Sequence, residues 1–319
     1  MAQAMRLLQI RSSLEFMEDE IMLALLRRSR HPLNKRIYTP GGVDIPGFGG
    51  SFLEKYLLER EKTDNSMGRY TDRREHSFFP MEGDVVPVLR GQAQALDPIR
   101  TNRNADILET YVRELPTFCQ PEDDRSRLGT AAERDIDVLH EISQRVHLGE
   151  FVAEAKWRDD VAILFPLVHA HDVTRLTEAL RDRSVEQKVS DRVRTKAAGY
   201  KLNPDAIVDF YVNHIIPLTI DVEVEYLQRN KGRVAVDPAE AGVLFEKRVE
   251  LGVARLLKAH PYASRSLVED VAVEAIKSDD AVIRGNITLD EHEKYNGMLM
   301  QVLKRDEVRG KLESFSRRS

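Results

Sequence analysis

Arg145 and Lys156 stand eleven positions apart, which at about 100° per residue is three helical turns to within roughly 20°. An unbroken helix over GTAAERDIDVLHEISQRVHLGEFVAEAKW, Gly129 to Trp157, carries both cations on one face, about 16 Å apart along its axis. Two long basic side chains leaning together across that gap leave room for a compact dianion. The same spacing also describes an ordinary solvated helix face. Asp182 and Glu186 form a pair at i and i+4, as do Thr219 and Glu223, and each pair shares a face if its segment is helical. His169 and His171 form an HAH with no third ligand nearby in sequence, so no metal site is expected.

The run RVHLGEFVAEAKW closely resembles the segment RIHxGKFVAEAKF of eukaryotic-type chorismate mutases. LLQIRSSLEFMEDEIMLALLRRS resembles that family's first helix. GSFLEKYLLE, the GRY followed by HSFFP, GTAAERDIDVLHEIS, SVEQKV and IIPLTIDVEVEYLQR follow in the family's order, covering about Met5 to Arg229. The resemblance implies an all-α, multi-helix bundle and the conversion of chorismate to prephenate, an isomerase step of the shikimate pathway in phenylalanine and tyrosine biosynthesis. It is an intramolecular rearrangement needing no nucleophile and no cofactor. A protein assists by confining the flexible arm over the ring and stabilising charge that grows on the ether oxygen. The dicarboxylate calls for guanidinium groups, and its ring hydroxyl for an acceptor.

By resemblance, Arg11 and Arg145 match the two carboxylate-binding arginines and Lys156 the donor to the ether oxygen. Glu186 matches the acceptor for the ring hydroxyl, with Asp182, where the yeast-type pattern has Asn, one turn before it. Thr219 is expected to donate to a carboxylate and Glu223 to contact the ether oxygen. A carboxylate there helps only when protonated, and burial among helices raises its pKa toward that state, so activity should fall above neutral pH. Glu154, Arg134, Asp135 and Glu225 read as packing salt bridges. The family's members are dimers that bind aromatic amino acids near the subunit interface. Arg69 matches one of the arginines there, with Gly68 in its neighbour's place, and Gly129 and Thr130 stand for a Gly-Ser at a helix N-terminus that suits an amino acid's carboxylate. Glu133 sits where a small residue is usual. A homodimer with tyrosine or tryptophan as effector is the resulting expectation.

The elements that must position these groups follow from periodicity. Leu7, Ile10, Leu14, Met17, Ile21, Leu25 and Leu26 recur at helical spacing and predict a helix from 5 to about 30. His31–Gly50, with its prolines and glycines, reads as an ordered loop. Helices are predicted over 51–63 and 104–116, the second stopped by Pro116. SFFPMEGDVVPVL is irregular, with Phe78 and Phe79 expected to anchor it in the core. Asn203-Pro204-Asp205 caps a helix running to about Arg229. Its β-branched Ile215, Ile216, Ile220, Val222 and Val224 favour strand locally, but the apolar spacing and the resemblance favour helix. From Asp237 three more helices are predicted, broken at His260-Pro261 and Arg284-Gly285-Asn286. The domains expected are 1–230, the mutase body, and 231–319, a helical C-terminal extension of no evident role.

At 319 residues and 42% hydrophobic the chain can bury a substantial core. A net charge of −5, with bases and acids interspersed, gives no electrostatic reason to expect nucleic acid or an anionic membrane. Cys119 is the only cysteine, which fits a reducing compartment. The first twenty residues lack an apolar signal core and carry several acids, so a cytoplasmic protein is expected. The alternative is a non-catalytic helical interaction protein built on the same scaffold.

Overall fold

The computed structural model describes residues 7–81, 96–232, 238–283 and 289–316. Every regular element among them is helical, and none of these helices is long and apolar enough to cross a membrane. The chain divides into two compact units. The first comprises residues 1–156 and 180–230, the second 157–179 and 231–319.

In the first unit, α1 (Leu7–Arg28) packs along α4 (Leu128–His147). Ile10, Met17, Ile21 and Leu25 are buried as their spacing requires. Ile10 and Met17 meet Leu148, Phe151, Val152 and Ala155 in one cluster. Asp135 of α4 is fully buried; it pairs with Arg28 and accepts from the hydroxyls of Tyr38 and Tyr111, each at 2.7 Å. A buried carboxylate satisfied from three sides fixes the register of α1 on α4. Glu154, the second acid read as a packing group, accepts from Tyr226 at 2.8 Å. Arg134 pairs with Asp137 at 2.6 Å, and Glu225 with Arg103 at 3.0 Å.

The loop after α1 holds one short 3-10 turn, Lys35–Tyr38. α2 (Phe52–Ser66) opens with a capping box in which Ser51 and Glu54 satisfy each other's backbone N–H. The SFFP stretch is held by a group the sequence did not disclose. Both rings of Phe78 and Phe79 are only half-buried, while their backbone N–H groups donate to the buried Glu61 carboxylate at 2.7 and 3.1 Å. The irregular stretch predicted over 77–89 lies partly outside the described residues. α3 (Asn104–Glu114) ends in a 3-10 turn containing Pro116.

The central helix differs from the unbroken one expected. α4 ends at His147 and α5 runs Gly149–His169. Leu148 between them keeps right-handed helical angles, φ −58° and ψ −15°, so the interruption is a local tightening of the helix. α5 has a further non-helical residue at Asp160 and contains Pro166. α6 (Val173–Leu180) and α7 (Arg183–Gly199) follow. The helix expected from Asn203 is also subdivided: α8 (Pro204–Phe210) passes through a π-helical turn, Tyr211–Ile215, into α9 (Ile216–Asn230). Asn203 caps α8 through Asp205 and Ala206, as its type predicts.

In the second unit the three predicted tail helices are α10 (Pro238–Ala259), α11 (Arg265–Ile283) and α12 (Leu289–Ser316). Val253, Val268, Ala272 and Leu303 form their core, and His260 contacts Glu307 at 2.5 Å. The expected break at Arg284-Gly285-Asn286 lies outside the described residues.

Candidate active site

A pocket of about 280 Å³ opens in the first unit, walled by α1, α4, α5, α7, α9 and the α6–α7 junction. Arg11, Arg145, Lys156, Asp182, Glu186, Thr219 and Glu223, the seven residues singled out for substrate, all line it. Six cations and four carboxylates face the space, the others being Arg181, Lys188, Arg192 and Glu15. Apolar Leu14, Val152, Val185, Val189, Ile216 and Ile220 fill the remaining wall, which lowers the local dielectric and strengthens each polar contact.

Arg145 is buried in the floor. Its Nη1 donates to Thr219 Oγ1 at 3.2 Å, while its Nε is buried without a hydrogen-bond partner. Desolvation pulls its pKa down, opposed by Tyr211, Glu18 and Glu223. A guanidinium so buried and only partly satisfied is a seat for an incoming carboxylate. Arg11 lies at the exposed rim of α1.

Lys156 Nζ donates to Glu223 Oε2 at 2.7 Å and to the Leu180 carbonyl at 2.5 Å, leaving one of an ammonium's three donors for a ligand. Glu223 is almost wholly buried. Burial raises its pKa, against the opposing charges of Lys156 and Arg145, which brings a protonated carboxyl beside an ammonium within easier reach. Such a pair presents two donors to one oxygen.

Two expectations change in detail. Asp182 is not a turn above Glu186 on the same helical face: its backbone is extended, φ −127° and ψ 93°, and its carboxylate caps α7 by accepting from the Ser184 and Val185 N–H groups. The Ser184 hydroxyl, donating to the same carboxylate at 2.7 Å, holds its pKa down together with those N–H bonds. The Thr219 hydroxyl donates to the Ile215 carbonyl at 2.7 Å, so donating to a ligand carboxylate requires it to rotate. Glu186 accepts from Arg181 Nε at 3.2 Å.

Sequence reasoning missed Arg181, the Leu180 carbonyl, and Arg192, which grips the buried Glu18 carboxylate through Nε at 2.7 Å and Nη2 at 2.6 Å. Glu18 lies seven residues after Arg11, two turns along the same face, and that spacing was the available signal. This pair, with Lys196 on Asp19 at 2.7 Å, ties α7 to α1.

The three residues proposed for an effector do not meet within one chain. Arg69 pairs with Asp64 at 2.9 Å and Glu75 at 3.0 Å, and Glu75 accepts from Gln144 near the end of α4. Gly129 and Thr130 open that helix fifteen residues earlier, about 22 Å away along its axis. Gly68 adopts φ 79°, a left-handed conformation that strains any bulkier side chain. Glu133, which stands where the resembled family usually has a small residue, pairs with Arg134 at 3.4 Å. Of the two HAH histidines, His169 packs against Phe165 with the rings tilted and their centroids 4.2 Å apart.

Comparison with known proteins gives a consistent result. The family model described as chorismate mutase type II matches residues 129–224. The chain is 36% identical over 254 residues to a chorismate mutase of Emericella nidulans, covering 72% of this chain and 95% of that one. Among solved structures it is similar to the Candida albicans chorismate mutase in complex with L-Trp, with a TM-score of 0.68 and 33% identity over 73% of this chain and 94% of the other. It is also similar to the AtCM1 structure with tyrosine bound in an allosteric site, with a TM-score of 0.63 and 32% identity over 71% of this chain and 97% of the other.

Proposed function

The chain belongs to the chorismate mutase family, and from that premise we propose that the pocket binds chorismate and isomerises it to prephenate with its own side chains alone. The observation that carries the assignment is the convergence of buried Arg145 and Glu223 and part-buried Lys156 on one cavity. Arg145 and Arg11 take the two carboxylates, drawing the enolpyruvyl arm over the ring so that the carbons to be joined are held in contact. Lys156 and protonated Glu223 donate to the ether oxygen as its bond to the ring breaks and negative charge gathers there. Glu186 accepts from the ring hydroxyl, Thr219 assists Arg145, and Asp182 acts by fixing the start of α7. The reaction is a redistribution of electrons within one molecule, so no proton has to leave or enter.

We assign the activity to residues 1–230, since the lining residues run from Arg11 to Glu223, and treat 231–319 as an extension outside the site. Following chorismate loss by absorbance tests the assignment. Lys156→Ala should lower kcat/KM by about 10²- to 10³-fold, the usual cost of removing a donor to a developing oxyanion; retention of wild-type activity would refute it. The same assay tests regulation. We propose a homodimer that places Arg69 of one copy near Gly129 and Thr130 of the other as a seat for tyrosine or tryptophan, a reading supported by the amino acids bound in the two related structures. A saturable rate response to either amino acid, lost in Arg69→Ala, is expected; a flat rate argues against the site.

A further inference from the structure

Three residues make the turn from α6 into α7, the last of α6 and the two that follow it, and each is tied to the pocket by a different bond. The Leu180 carbonyl accepts from Lys156 at 2.5 Å. Arg181 Nε donates to Glu186 Oε1 at 3.2 Å. The Asp182 carboxylate accepts from the N–H groups of Ser184 and Val185, both at 3.1 Å, which fixes the first turn of α7. All three residues line the cavity. The junction is therefore a wall of the site, held to its ammonium at one end and to its helix at the other.

The Arg181–Glu186 pair is partly open to water, its side chains 31% and 27% exposed. A pair of that exposure adds little to folding stability, so its consequence must be sought in the ligand. Glu186 hangs from a long side chain at the mouth of a half-open pocket, where its rotamers are poorly restrained. Arg181 fixes one carboxylate oxygen with a charge-assisted bond, and a carboxylate can only accept. Oε2 is left for a second donor.

We propose that Arg181 is a positioning residue for this reaction: by holding Glu186 it orients the acceptor that reads the substrate's ring hydroxyl, and so contributes to selection of the hydroxylated ring. The proposal rests on the assignment of the pocket as the chorismate site. The hydroxyl lies on the ring away from the charge that develops at the ether oxygen, so holding its acceptor affects ground state and transition state alike.

Steady-state kinetics of Arg181→Gln, Arg181→Lys, Glu186→Gln and the Arg181→Gln/Glu186→Gln double variant, beside Lys156→Ala, test it. Arg181→Gln should raise KM about five- to tenfold with kcat within about twofold of wild type, and Arg181→Lys should recover part of the loss by restoring the charge. In the Glu186→Gln background the Arg181 substitution should add nothing further. The melting temperature of each Arg181 variant should stay at the wild-type value. An unchanged KM, or losses that multiply in the double variant, would overturn the role through Glu186. Those failures leave Lys156→Ala inactive, whereas an active Lys156→Ala would remove the pocket assignment itself.

Discussion

Burial raises the pKa of Glu223, while Lys156 at 2.7 Å and the Arg145 guanidinium oppose the rise without cancelling it. The carboxyl form that donates is the one present at low pH, so activity should be greatest below that raised pKa and decline as pH climbs through it. Glu223→Gln donates at every pH. Its pH–rate profile should lose the alkaline limb, and a mutant profile that still falls like wild type would show that another group titrates. The identity of these residues was legible because helical spacing and the order of short segments both constrain them. What was not legible is what each does before substrate arrives. The cap at Asp182 could have been suspected from an acid ahead of Ser184 and Val185, since Asp is a favoured N-cap. The Lys156 bond to the Leu180 carbonyl joins positions 24 residues apart, and no local pattern encodes it.

At the scale of elements, the glycine that opens α5 is explained by what lies across from it. A Cβ built there would meet the Thr219 carbonyl oxygen at 2.7 Å and Val222 Cγ1 at 3.1 Å, so α5 and α9 touch backbone to side with no room for a methyl group. Gly149→Ala should cost about 1–3 kcal/mol, measurable as a shift of the urea midpoint. Because α9 carries Thr219 and Glu223, the same substitution should lower kcat/KM; an Ala variant as stable and active as wild type would mean the helices separate freely. A glycine within a helical pattern was the visible sign of this contact. The π turn at Tyr211–Ile215 left no comparable sign. Its buried Tyr211 and Ile215 keep an ordinary apolar spacing, and the extra residue held by bonds from i to i+5 shows only in three dimensions. The β-branched run beyond it is helical because its packing against α4 outweighs local propensity.

At the scale of the whole molecule, helices, their order and the tail's three segments were readable from periodicity, whereas the partition into compact units was not. Composition marks no boundary at 157 or 179, because membership of a unit is decided by contacts distant in sequence. Ile163, Pro166 and Leu167 of α5 share a cavity of about 490 Å³ with Leu251, Gly252 and Leu256 of α10. A chain ended at residue 230 would bare that face of α5 to water. It should therefore bind a hydrophobic dye and melt at a lower temperature than the full chain; equal melting and no dye binding would show that α5 needs no cover. The second unit takes an internal stretch bounded on one side by Lys156 and on the other by Leu180, so it is not a simple appendage to a finished body. Chimeras with relatives lacking the extension should respect this: grafting residues 231–319 alone transplants half of an interface, and the donor's 157–179 must travel with it, spliced between two residues that border the reaction.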